Sequence, residues 1–164
     1  MENEKVRIEF DKASGEPKTI EYKKTSKTKN KKFEIKQNFF EYVGNPQFDN
    51  HYAFYFTTPS QKISPENSFV FTAGDCCFRL FRVISKNIFV VYSLFRDSDS
   101  LSVDTVVGDV PSGINYLVKY IFPQIKNHNS FWTDDNGLQF VERNFDKSLE
   151  YYARFAPMVN FNSF

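Results

Sequence analysis

The chain has 164 residues and a formal net charge of +1, and 18% of its residues are aromatic. This near-neutral charge argues against a dedicated nucleic-acid-binding protein, which needs a broad basic surface. No run of about 18 apolar residues occurs, so we expect no membrane partner, and no apolar signal-peptide segment follows the first residues. The 20 Phe and 9 Tyr instead predict a single domain with a packed, β-rich core.

Short alternating segments open the chain. Val6, Ile8 and Phe10 alternate with charged residues, which predicts an amphipathic strand. Turn-forming residues occupy Asp11–Gly15, and Thr19–Tyr22 is expected to pair back on the first strand.

A lysine-rich segment follows, in which six of the ten residues from Lys23 to Lys32 are Lys. Because these charges repel one another and no apolar residue anchors them, we predict a mobile, solvated loop at about 23–32. A nucleic-acid-binding arm is the alternative, but no aromatic residue interleaves the lysines for base stacking.

The central part of the chain predicts a series of short strands separated by turn signals. Gly44–Pro46 and the segment from Pro59 to Asn67 are expected to be irregular, and Lys86–Asn87 a tight connection. Such a series indicates an all-β fold, an antiparallel β-sandwich. The predicted strands are Phe33–Lys36, Asn38–Tyr42, Tyr52–Thr57, Phe69–Thr72, Cys76–Ser85, Ile88–Phe95, Leu101–Thr105 and Tyr116–Phe122.

Residues 145–156 fit two patterns. Apolar residues recur there at helical spacing, with Asp146 in the N-cap position. Leu149, Tyr151, Ala153 and Phe155 also alternate as a strand would. The residues alone leave helix and strand open.

The stretch from Ser130 to Arg143 predicts a β-hairpin. Phe131–Thr133 suits a half-buried strand, and Asn136-Gly137 tolerates the positive φ angles that a type I′ turn requires. The chain then returns through alternating residues as far as Arg143.

This hairpin also carries a family signature. The sequence Phe-Trp-Thr-Asp-Asp-Asn-Gly-Leu-Gln-Phe-Val-Glu-Arg resembles the Phe-Tyr-Thr-Asp-x-Asn-Gly…Arg motif of family 38 glycoside hydrolases, the class II α-mannosidases of Golgi, lysosome and vacuole. Two further stretches resemble the family, Glu9–Gly15 and Val107–Pro111, and the similarity extends from about Val6 to Met158. The matching signature residues are Trp132, Thr133, Asp134, Asn136, Gly137 and Arg143.

The resemblance implies one region of such an enzyme, the carboxy-terminal β-sandwich of galactose-mutarotase-like type. We expect residues 1–164 to form a single sandwich domain or part of one, incomplete at Phe164 because family members continue through more strands. The resemblance also favours extended chain at 145–156. In the family a zinc ion and the catalytic carboxylates belong to a separate barrel, so we expect no catalytic residue, no metal ligand and no cofactor in this chain, and no activity from it alone.

One substrate contact carries over from the family. Asp49–Phe54, with Pro59 after it, resembles a strand motif whose tyrosine reaches the sugar site, and Tyr52 takes that tyrosine's place. The Ser-Gly-Ala that precedes the tyrosine in the family is not kept here. A phenol suits the role because its ring packs on a sugar while its hydroxyl forms a hydrogen bond. A strand tyrosine with no sugar role is the alternative.

Other reactive residues do not form a recognisable site. His51 and His128 lie far apart without acidic or cysteine partners at ligand spacing. Adjacent Cys76 and Cys77 would point to opposite faces of a strand, so we expect two reduced thiols with at least one in the core.

Three functions remain open. The first is an α-mannosidase-like, structural and substrate-supporting fragment that contacts α-mannosides of N-glycans when joined to a catalytic domain. The second is a free-standing carbohydrate-binding or interaction module, and the third a decayed gene product. We expect contact with a catalytic barrel or self-association. The cellular location is left open by the sequence.

Overall fold

The computed structural model of the chain describes residues 1–23, 30–44, 60–126, 128–134, 139–146, 148 and 161–162. These residues form strands and turns, and no helix occurs among them. The strands are β1 Val6–Phe10, β2 Pro17–Tyr22, β3 Lys31–Glu34, β4 Lys36–Val43, β5 Gln61–Ile63, β6 Ser68–Ala73, β7 Cys77–Ser85, β8 Ile88–Phe95, β9 Ser102–Val107, β10 Ile114–Ile121, β11 Ser130–Asp134, β12 Phe140–Asn144 and β13 Phe161–Asn162.

The strands form four sheets, and each strand pair in the described ranges is antiparallel. One sheet has the order β1-β2-β3, a second β10-β4-β5, and a third β12-β11-β13. The fourth, which we call the four-stranded sheet, has the order β6-β7-β8-β9. The predicted all-β, antiparallel fold class is therefore confirmed.

The chain divides into two compact units. One comprises Met1–Val43 and Thr58–Pro123, and the other Gly44–Thr57 and Gln124–Phe164. The first unit contains three of the sheets, and the second contains the sheet of β11, β12 and β13. The described part of the chain contains no helical segment with the length and hydrophobicity of a membrane span.

Two sheets of the first unit pack face to face. Phe39 of β4 lies in one buried cluster with Leu80 and Ile84 of β7 and Tyr92 of β8. Because Phe39 belongs to the sheet β10-β4-β5 and the other three to the four-stranded sheet, their contact forms the interior of a β-sandwich. The cluster also holds Ile88 and Val90.

The amino-terminal strand closes a second cluster. Val6 and Ile8 are buried beside Leu94 of β8, while Arg7 and Glu9 point to solvent. This alternation confirms the strand predicted for the start of the chain.

The turn between β1 and β2 depends on Gly15. Its φ angle is +65°, and an added Cβ would approach Cγ of Phe69 to 2.8 Å. The backbone amides of Ala13 and Ser14 donate hydrogen bonds to the Asp11 carboxylate, at 2.9 Å each. The predicted turn therefore forms because the Asp11 carboxylate accepts hydrogen bonds from the turn amides and because Gly15 adopts a left-handed backbone conformation.

Some expectations need correction. The segment from Pro59 to Asn67 was expected to be a loop, but Gln61–Ile63 forms β5, which pairs with β4. The backbone of β4 gives this short segment hydrogen-bond partners that its sequence does not reveal. Cys76 is exposed and Cys77 half-buried, both free, so the expectation of a core cysteine was wrong.

The prediction of a mobile, solvated loop at 23–32 is wrong at both of its described ends. Lys23 donates a backbone hydrogen bond to the Lys5 carbonyl at 2.8 Å, and its ammonium group pairs with Glu2 at 2.6 Å. Lys31 and Lys32 lie in β3, where they pair with Tyr22 and Glu21 of β2. Residues 24–29 lie outside the described part, as do the predicted strand Tyr52–Thr57 and most of the helix-or-strand segment 145–156.

Candidate functional site

The two strands predicted for the signature stretch are present and pair with each other. Strands β11 and β12 pair antiparallel, with Phe131 opposite Arg143, Trp132 opposite Glu142 and Thr133 opposite Val141. Opposite residues in such a pair share one face of the sheet. Arg143 therefore lies on the face of Thr133, and Glu142 on the face of Trp132.

Two signature residues are buried polar groups. Thr133 and Asp134 are each 1% exposed. The Nε of half-buried Arg143 donates a hydrogen bond to Oγ1 of Thr133 at 3.3 Å, diagonally across the strand pair. Because burial of polar groups is costly unless they are bonded, this contact gives Thr133 and Arg143 a structural role.

The other face of the hairpin is held by short polar side chains. The hydroxyl of Ser130 donates to Oε1 of Glu142 at 2.9 Å and contacts Oδ1 of Asn144 at 2.7 Å. Trp132 is half-buried on this face. Glu142 and Arg143 thus form cross-strand contacts on opposite faces of the hairpin.

Several predicted site residues cannot be placed. Tyr52, Asn136 and Gly137 lie outside the described residues. Tyr52 as a sugar contact and the type I′ turn at Asn136-Gly137 stay predictions. His128 is described, and it lies exposed in a turn with a φ of 49°.

A groove in the first unit was not predicted from the sequence. It has a volume of about 600 Å³, and its walls come from β1 and β6. Phe10, Phe69 and Phe71 provide the aromatic surface, and Phe71 is 48% exposed. Phe71 is stacked parallel to Phe78, with ring centroids 6.4 Å apart, so its position is fixed from one side.

Charged side chains form the rim of this groove. Arg7 pairs with Glu2 at 2.8 Å, and Glu9 pairs with Lys32 at 2.8 Å. The hydroxyl of Thr19 donates a second hydrogen bond to Glu9, at 2.7 Å. The rim therefore offers hydrogen-bonding groups beside an aromatic surface.

The acidic residues of the rim favour their ionised forms. Hydrogen bonds from Lys23 and Arg7 lower the pKa of Glu2 to about 2. Hydrogen bonds from Lys32 and Thr19 lower the pKa of Glu9, and those from Lys18 and the turn amides lower the pKa of Asp11. A glycosidase needs one carboxylic acid that stays protonated near neutral pH to act as general acid. The pKa of each of these three carboxyl groups is shifted in the opposite direction.

Metal ligands are not grouped in the described ranges. No set of three or more His, Cys, Asp and Glu side chains lies close enough there to hold a metal ion. The expectation that zinc belongs to a separate catalytic domain stays a prediction.

A polar cluster between the two sheets of the sandwich, in which Gln37 and Tyr92 are buried, was not predicted from the sequence. The hydroxyl of Tyr92 donates to Oε1 of Gln37, whose Nε2 donates to the Tyr120 hydroxyl at 3.0 Å. Burial raises the pKa of Tyr92 to about 12. Gln37 thereby joins the two sheets, since Tyr92 lies on β8 and Tyr120 on β10.

Arg82 lies in the same interior at 1% exposure. Its Nε donates to the Ser14 carbonyl at 3.0 Å, and its Nη2 is 3.9 Å from the Glu16 carboxylate. The strand pattern could have revealed the burial of Arg82. In β7 it alternates in step with Leu80 and Ile84, and so it lies on the same face of the strand.

Comparisons with known proteins support the resemblance of the hairpin. Residues 1–162 match the family model described as Glycosyl hydrolases family 38 C-terminal domain. A comparison with curated proteins found no match.

Proposed function

Because this chain belongs to the family of glycosyl hydrolase family 38 C-terminal domains, we propose that it supports the hydrolysis of α-mannosides without performing the chemistry. In this role it is a structural and carbohydrate-binding part of an α-mannosidase, and the catalytic residues and zinc belong to a barrel domain. The observation that carries the proposal is the family match, which extends over residues 1–162.

The signature hairpin supports the structural half of this proposal. Its Thr133 and Asp134 are buried, and Arg143 bonds to Thr133 across the strands. Buried, bonded polar groups specify one arrangement of a strand pair. The motif therefore acts through the shape of the sheet rather than through contact with a sugar.

The groove supports the carbohydrate-binding half. Sugars present apolar C–H faces and many hydroxyls, and the groove offers the exposed ring of Phe71 beside the charged groups of Arg7 and Glu9. The ring would pack on the sugar face while the rim accepts and donates hydrogen bonds. The ligand class is a neutral α-mannoside.

Tyr52 is a second proposed sugar contact, carried over from the family motif. Its hydroxyl would position the substrate when a catalytic barrel lies opposite. In a chimera with a related barrel, Tyr52→Phe should weaken substrate use by one hydrogen bond, about 0.5–1.5 kcal/mol. Unchanged kinetics in an active chimera would rule this role out.

The test of the proposal combines an activity assay with a binding assay. Purified chain should leave an aryl α-mannoside intact, while methyl α-mannoside should shift the amide NMR signals of β1 and β6. Phe71→Ser should remove those shifts. Phe140→Ser is the matched control, since Phe140 is 47% exposed and lies in the second unit.

The outcomes separate the candidate functions. Turnover that persists after removal of contaminating mannosidase would overturn the non-catalytic assignment. Binding that is equal in wild type and Phe71→Ser would overturn the groove. Sugar binding by the chain alone, with no effect of an added barrel, would favour the free-standing module.

A further inference from the structure

The outer face of the four-stranded sheet is apolar where an antiparallel sheet usually presents polar residues to solvent. The inner face buries Leu80, Ile84 and Val90. Side chains alternate along a strand, so the residues between these point outward. The register places two outward rows across the sheet, Val70–Phe81–Val91–Asp104 and Ser68–Val83–Phe89–Val106.

The apolar members of these rows form a continuous surface, which we call the outer patch. Val70 is 61% exposed, Phe81 38%, Phe89 42% and Val106 40%, and Val83 and Val91 between them are half-buried. Contiguous exposed apolar surface of this kind marks an interaction site more often than scattered single residues do.

Polar residues surround the outer patch. Ser68, Thr72 and Arg79 are exposed along one side and one end of it, and Asp104 is exposed at the other side. An apolar centre with a polar rim is the usual anatomy of a protein–protein interface.

The size of the face limits the strength of an interaction. Four strands about 4.8 Å apart, with about six residues each at about 3.4 Å, give a face of roughly 20 Å by 20 Å. Two such faces bury on the order of 800–1,000 Å² together, near the lower limit for a specific complex. A partner with a matching flat sheet is therefore expected to bind weakly and reversibly.

The charges of the rim indicate what that partner is. Arg79 and Asp104 lie at the same end of the patch, on β7 and β9, with β8 between them. A two-fold axis that lies in the plane of the interface and bisects the directions from the patch centre to these two residues brings Arg79 of each copy towards Asp104 of the other. Opposite charges then meet twice. This self-complementarity is what an isologous interface requires.

We infer that the outer patch is a self-association surface, through which two copies of this chain pack sheet against sheet. Phe81 and Phe89 form the apolar centre, and Arg79 and Asp104 form two charge pairs at the rim. The inference does not depend on carbohydrate binding. Phe71, which lines the groove, is opposite Leu80 and therefore on the inner face of the sheet, whereas the outer patch is on the other face.

Sedimentation velocity over a concentration series tests this inference on the full chain. Wild type should convert from monomer to dimer as its concentration rises into the micromolar to millimolar range. Phe89→Lys should weaken dimerisation at least tenfold, because a charge would be buried at the centre. Phe140→Lys, at a similarly exposed phenylalanine of the second unit, should leave it unchanged.

Charge reversal identifies the partner residues. Arg79→Glu and Asp104→Lys should each weaken the dimer, and the double variant should restore it, since both pairs reform with reversed signs. The substituted residues are all exposed in wild type, namely Arg79, Phe89, Asp104 and Phe140. Circular dichroism checks that each variant is folded.

The contrary results are distinct. A monomer at every concentration, or a polydisperse aggregate, overturns the inference. A dimer that survives Phe89→Lys must use another surface, such as the edges of β6 and β9. A double variant no stronger than the single ones overturns the two-fold arrangement.

Discussion

Two hairpins of this protein are built by opposite means. The β7–β8 hairpin buries apolar side chains, among them Leu80, Ile84 and Leu94. Among the described residues of the β11–β12 hairpin, the buried side chains are those of Thr133 and Asp134, which are polar. The second hairpin carries the family signature and the first carries the core. The segment that identifies a family need not be the segment that stabilises the fold.

The difference has a physical reason. Apolar core positions accept other apolar residues of similar volume, so many sequences build the same core. A buried polar residue such as Thr133 requires a matching partner, here Arg143, at a fixed position. Buried polar contacts therefore require particular residues at particular positions, which form a recognisable motif. Apolar packing requires only that apolar residues recur at the right spacing.

The largest loss of stability is expected from a substitution in the apolar β7–β8 hairpin. Ile84→Ala removes a fully buried side chain from the cluster of β7 and β8, so we expect the free energy of unfolding to fall by about 2–5 kcal/mol. Urea denaturation measures it. A loss below about 1 kcal/mol would show that the sandwich interior is loosely packed.

Alkaline pH should weaken the same hairpin through Tyr92. Its pKa is about 12 in the folded protein against 10.0 ordinarily. Below pH 10 both states bind the proton. Between pH 10 and 12 the unfolded chain loses it first, so stability falls as pH rises, by roughly 2–3 kcal/mol in total.

The measurement compares wild type with Tyr92→Phe, in which this ionisation is absent. Stability of wild type should fall more steeply above pH 10 than that of the variant. Parallel curves would show that the Tyr92 hydroxyl is accessible to water in the folded protein.

A smaller effect is expected in the polar hairpin. Thr133→Val keeps the side-chain volume but removes the oxygen that accepts the hydrogen bond of Arg143. We expect a loss of about 0.5–1.5 kcal/mol, together with faster amide exchange in β11 and β12. Val141→Thr, opposite Thr133 but 37% exposed, is the control and should be near neutral.

The smallest effect tests whether burial alone makes a residue stabilising. Arg82 is as buried as Ile84, but desolvation of its guanidinium offsets its bonds to Ser14 and Glu16. Arg82→Met should therefore change stability by less than about 1 kcal/mol, since an apolar side chain of similar length replaces the charge. A loss as large as that of Ile84→Ala would assign Arg82 a net stabilising role.

Much of the fold follows from local pattern. The alternation of Val6 and Ile8 predicts β1, and Ile88–Phe95 predicts β8 with the bounds that the structure gives. The strand β5 could not be predicted, because Gln61–Ile63 has no apolar alternation of its own and forms only against β4. A strand that depends on its neighbour leaves no local signal.

The candidate sites divide in the same way. The motif around Thr133 and Arg143 identified the family, but the sequence did not indicate that Thr133 is buried or that Arg143 bonds to it. The groove of Phe10, Phe69 and Phe71 draws on two strands about sixty residues apart. No local pattern can report such a juxtaposition.

The sequence by itself determined the all-β class, most strand positions, the antiparallel hairpins and the family. These depend on alternation, turn residues and one motif, all of which act over a few neighbouring residues. Only the tertiary structure decided that Arg82 and Gln37 enter the interior, that Phe81 and Phe89 are exposed on the outer face, and that a groove forms beside Phe71. Alternation shows that a strand has two faces, but which face becomes buried depends on the sheets that pack against it.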